Sequence, residues 1–78
     1  MIGVTFVKEN RQFTIDKIYG EFPYLCNLSF DSGKQKGTAI NQPLNKLALK
    51  IFEEKYRIVG LSGDEQIIIF EKMFRLIC

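Results

Sequence analysis

"DEQIIIFEKMFRLIC", residues 64 to 78, carries eight large apolar side chains, four of them consecutive (Ile67, Ile68, Ile69 and Phe70). Two local signals compete over it. Ser62 with Glu65 three positions later matches a capping box, the start of a helix. Against that, Gly63-Asp64 suits a turn, and the β-branched run "QIIIF" prefers a strand. The β-branching favours a hairpin in which "YRIVGLS" (residues 56 to 62) is the first strand and Gln66 to Lys72 the second.

Either conformation leaves two apolar surfaces. As a strand, Ile67, Ile69, Met73 and Ile77 face one way, and Ile68, Phe70, Phe74 and Leu76 face the other. As a helix, Ile67, Phe70, Phe74 and Ile77 form a core stripe, with Met73 at its edge and Ile69 and Leu76 on the far side. Each large apolar side chain left wet forgoes about 1.5–3 kcal/mol of burial. A single short helix covers one face of a sheet. The sheet must therefore curl over on itself, or a second subunit or a target protein must supply a layer. The expected docking anchors are Phe70, Met73, Phe74 and Ile77. Tyr19 and Phe22 join them from the aromatic loop "YGEFPY" (residues 19 to 24), which resembles the anchors that interfaces use.

Upstream, "IGVTFVK" alternates, Glu9-Asn10 makes a hairpin loop, and "RQFTIDKI" continues as a second strand. Gly20 and Pro23 break the pattern. Tyr24, Cys26, Leu28 and Phe30 at spacing two mark a third strand. "DSGKQKG" then turns the chain, and "TAI" is at most a short extra strand. The clearest helix follows, from about Gln42 to Lys55. Asn41 is its expected cap, and Pro43 is tolerated in the first turn. Leu44, Leu47, Ala48 and Ile51 make its stripe, with Phe52 on the flank. Leu49 falls among the polar residues and hints at a surface patch.

The expected fold is α+β: an antiparallel sheet of about five strands, order β-β-β-α-β-β, with one helix on one face, in a single domain spanning residues 1 to 78. A 78-residue chain of this kind buries only about 60% of its unfolded surface, so such domains often need a staple. Two cysteines and no histidine give no tetrahedral zinc site, and no metal or cofactor is expected. Cys26 reads as a small buried hydrophobe and Cys78 as free, which suits a reducing, cytoplasmic setting. No signal peptide and no stretch of membrane-spanning length is apparent, so no membrane contact is expected.

Catalysis finds little to work with. Without histidine, no Ser–His or Cys–His pair can be drawn. Glu53-Glu54 and Asp64-Glu65 are neighbours of the kind that solvated surfaces carry. The favoured function is a small non-enzymatic regulatory or inhibitory protein that works by protein–protein contact, with a homodimer as one form. The alternative is a nucleic-acid module. From Ser32 to Phe52 the chain carries Lys34, Lys36, Lys46 and Lys50 and no acid, a pattern that phosphates would meet. Tyr19, Phe22 and Tyr24 would stack on unpaired bases.

Overall fold

Alternation of apolar and polar residues sets the first half of the chain into strands. A computed structural model describes all residues from 1 to 78. The strands are β1 (Thr5–Lys8), β2 (Arg11–Tyr19), β3 (Leu25–Asp31), β4 (Lys36–Pro43) and a short β5 (Arg57–Ile58). They form one sheet in the order β4-β3-β2-β1-β5, and every neighbouring pair is antiparallel. Two helices complete the chain, α1 (Leu44–Glu53) and α2 (Gly63–Ile77). The α+β class and the five-stranded antiparallel sheet are as expected.

The element order differs at two places. "TAI" belongs to an eight-residue strand, β4, so the fourth strand precedes the helix. The closing stretch is a fifteen-residue helix rather than a strand. Its start is the capping box: the Glu65 N–H donates to Ser62 Oγ at 3.3 Å, and the Ser62 N–H donates to Glu65 Oε1 at 3.3 Å. The cap satisfies orphan amides that a strand start would leave to water, and Asp64 and Glu65 sit where the helix dipole favours acids. The preference of three isoleucines for a strand is weaker than this and depends on context. Gln66 adds a tie, accepting the Ile58 N–H at 3.1 Å and donating to the Leu61 carbonyl at 3.2 Å. "YRIVGLS" consequently pairs with β1 only at Arg57 and Ile58.

Asn41 is not the cap of α1. That position falls to Pro43, without a side-chain hydrogen bond. Asn41 instead lies inside β4 at φ +56°, where β3 and β4 slip register between Cys26 and Leu28. Asparagine tolerates this left-handed backbone better than most residues. Its N–H donates to the Tyr19 hydroxyl at 3.0 Å and to Asn27 Oδ1 at 3.1 Å, so this donor keeps partners at the bulge. At its other end α1 stops at Glu53, two residues before the expected Lys55. Lys55 takes φ +58° and releases the chain.

One face of the sheet is apolar and covered by both helices. Phe6, Phe13, Ile15, Cys26 and Leu28 from the strands meet Leu44, Ala48 and Ile51 from α1 and Met73 from α2, with Tyr56 and Ile58 closing the cluster. The expected single covering helix is thus a pair. The sheet stays open, with β4 and β5 as its edges, and does not curl over on itself. Its other face is polar where four strands cross: Thr5, Thr14, Ser29 and Thr38 stand in one cross-strand row. The Thr5 and Thr14 hydroxyls bond at 2.7 Å. Such a face needs no apolar cover. No helix is long and apolar enough to cross a membrane.

Candidate functional site

Helix α1 presents different chemistry on its two flanks, because 3.6-residue periodicity sorts its side chains around the buried Leu44–Ala48–Ile51 stripe. One flank faces α2 and carries Phe52 and Leu49. The other carries Leu47, Lys46 and Lys50.

On the first flank, aromatic rings join the helices. Phe52 stacks on Phe74 with centroids 5.0 Å apart and meets Phe70 at 5.6 Å. Phe70 also reaches Phe6 of the sheet at 6.5 Å. The stack is only partly covered: Phe74 is 52% exposed, Ile67 one heptad earlier 56%, and Leu49 on α1 53%. Ile67 and Phe74 share one face of α2, and Leu49 lies on the flank of α1 that carries Phe52. Ile68 is also half-exposed, about 100° round α2 from Ile67. The hint at Leu49 is matched by its exposure.

The expected anchors separate. Phe74 is exposed, while Phe70 and Ile77 are half-buried against the core. Met73 is fully buried and is withdrawn as an anchor. The helix is rotated relative to the expected stripe, so that Met73, with Ile69 and Leu76 beside it, turns inward and Ile67 with Phe74 turns outward. Rotation follows from geometry. Gln66, Phe70, Met73 and Ile77 lie on one side of a helix, and the Gln66 bonds to Ile58 and Leu61 fix that side toward the sheet edge. Tyr19 stands apart from all of them. Its hydroxyl donates to Asn27 Oδ1 at 2.9 Å and also meets Asn41 Oδ1, and Lys17 Nζ sits 5.3 Å from its ring. Phe22 is 59% exposed and packs edge-on against Tyr24 at 6.2 Å. Neither ring packs against a ring of the helical flank.

The second flank of α1 borders a groove of about 440 Å³ over strands β2 to β4. Phe13, Leu28, Phe30, Ala39 and Tyr56 contribute its apolar surface, and Leu47 with Lys46 and Lys50 forms the helical wall. Gly37 helps shape the floor: the Phe30 ring lies so close that a β-carbon there would sit 3.3 Å from Phe30 Cζ. The four lysines of the alternative reading divide around this groove. Lys46 and Lys50 line it. Lys36 pairs with Asp31 at 3.7 Å across the mouth of the β3–β4 hairpin, and Lys34 is exposed at the hairpin tip. Arg11 also lines the groove and shares Glu54 with Lys8, each at 3.5 Å. The sequence reading missed Arg11, Phe13, Phe30 and Tyr56 as site residues. No motif marks them: the pairing of β2 with β3 brings Arg11, Phe13 and Phe30 together, and the turn after α1 sets Tyr56 against Phe13.

Burial pushes the Tyr56 hydroxyl above its ordinary pKa of 10.0; nearby Arg11 opposes the shift, and Glu54 and Glu9 add to it. Burial likewise raises the Cys26 thiol above 9.0. Both cysteines are free, Cys26 buried and Cys78 exposed. No protein-family model matches the chain, no curated protein matches it, and no solved structure matches its fold.

Proposed function

We propose that the protein is a small non-enzymatic regulatory binding protein that works by protein–protein contact, as a homodimer joined along the α1–α2 flank. The observation that carries this reading is the half-exposed aromatic stack. Phe74 rests on Phe52, yet half its surface is wet, and Ile67 and Leu49 extend the apolar strip on both helices. Exposed apolar patches rimmed by polar residues, when large, mark protein–protein contact sites.

Charge favours a second copy as the occupant. Helix α2 begins with Asp64 and Glu65 and ends with Arg75 in its last turn. An antiparallel copy of the same helix sets Ile67 of each chain against Phe74 of the other. It also brings the basic end of each helix alongside the acidic start of its mate. A two-fold contact of this form is isologous and closes on itself.

Sedimentation velocity over a concentration series tests the reading. The wild-type chain should move from 9.1 kDa toward twice that mass, and Phe74→Glu should remain monomeric with unchanged circular dichroism. A strictly monomeric wild type at high micromolar concentration would sink the proposal. Salt separates it from the nucleic-acid alternative through Lys34, Lys36, Lys46 and Lys50. An apolar contact survives high salt, whereas phosphate binding weakens steeply.

A further inference from the structure

The groove on the other flank of α1 takes no part in the proposed dimer, and it has the parts of a ligand site. Its volume of about 440 Å³ lies within the roughly 300–1,000 Å³ typical of small-molecule pockets. Phe13, Leu28, Phe30 and Ala39 offer an apolar bed.

Its polar groups favour negative charge. Lys46 and Lys50 stand one turn apart on the helical wall, and neither belongs to any ion pair of the molecule. Asp31 is the one acid lining the groove, and it is already engaged by Lys36 and by the Gly33 N–H at 2.8 Å. Tyr56 supplies a second, independent sign. It is only 5% exposed and lines the groove, and its hydroxyl forms no hydrogen bond within the protein. The hydroxyl is not sealed away from solvent, so it is open to a group lying in the groove. A carboxylate lying in the groove would accept from it and from Lys50 together.

We propose that this groove binds a medium-chain fatty acid, with the hydrocarbon on Phe13, Leu28, Phe30 and Ala39 and the carboxylate among Tyr56, Lys50 and Lys46. A neutral chain of the same length would gain the floor but not the cations. A cationic amphiphile would be repelled by them.

The test titrates isotopically labelled protein, followed by amide chemical shifts, with sodium decanoate, decanol and decyltrimethylammonium below their micelle thresholds. Decanoate should shift Phe30, Ala39, Leu47 and Lys50 saturably, and should bind at least about tenfold more tightly than decanol. The double variant Lys46→Gln/Lys50→Gln should lower decanoate binding to the level of decanol while circular dichroism is unchanged. Equal binding of all three probes would overturn the proposal, as would the absence of saturable shifts. So would shifts confined to Leu49, Ile67 and Phe74, which would place the chain on the dimer flank instead. The outcome is independent of the sedimentation result, because the two surfaces share no residue.

Discussion

Two buried ionisable side chains tie the residue scale to solution behaviour. Cys26 and Tyr56 both have raised pKa values, chiefly from burial. The folded chain therefore keeps protons that the unfolded chain releases in base. That contribution to stability is complete below the ordinary values and is lost as pH rises through the folded ones. Urea midpoints should hold up to about pH 9 and then fall. Tyr56→Phe should flatten the part of the decline that begins near 10.0, and an unchanged slope would show that Tyr56 titrates freely. Residue-level reading of the sequence succeeded where the environment is local, as with buried Cys26 and exposed Leu49. It failed at Asn41 and Tyr56, whose roles depend on a bulge in β4 and on strands brought together from far along the chain.

At the scale of elements, helix α2 decides the account. Its capping box was visible in the sequence and lost to three β-branched residues. The lesson is physical: a cap that satisfies two backbone donors is a structural commitment, while β-propensity mostly reflects packing. Ser62→Ala should cost about 1 kcal/mol and fray the first turn, seen as loss of amide protection around Glu65 and Gln66. The orientation of the helix is equally testable. Met73→Ala should destabilise by about 2–5 kcal/mol, because its side chain is fully buried. Ile68→Lys should change stability by no more than about 0.5 kcal/mol, since Ile68 faces solvent. Chemical denaturation of both variants reads the difference, and a cost below about 0.5 kcal/mol for Met73→Ala would show that this side chain does not face the core. The helix stripe of α1 was legible in full, because its periodicity and polar flank agree.

For the whole molecule, the sequence correctly indicated more apolar surface than one helix can shield. It placed the excess on the wrong element type and did not foresee that the far face of the sheet would be polar. That face, with its row of Thr5, Thr14, Ser29 and Thr38, removes the need for a second layer there; half-exposed apolar side chains remain on the α1–α2 flank at Leu49, Ile67 and Phe74, and elsewhere at Ile2, Ile40 and Val59. The proposed antiparallel dimer makes a geometric demand on that flank. Cys78 is the one exposed cysteine and accepts a spin label without disturbing the core. It lies about 7.5 residues beyond the midpoint between Ile67 and Phe74, so at 1.5 Å per residue, with helix axes about 8–10 Å apart, the two labels stand roughly 25 Å apart. Dipolar electron spin resonance on the labelled wild-type protein should give one narrow distance near that value, and Phe74→Glu should abolish it. A wild-type sample with no dipolar signal, or with labels in near contact, would contradict the account.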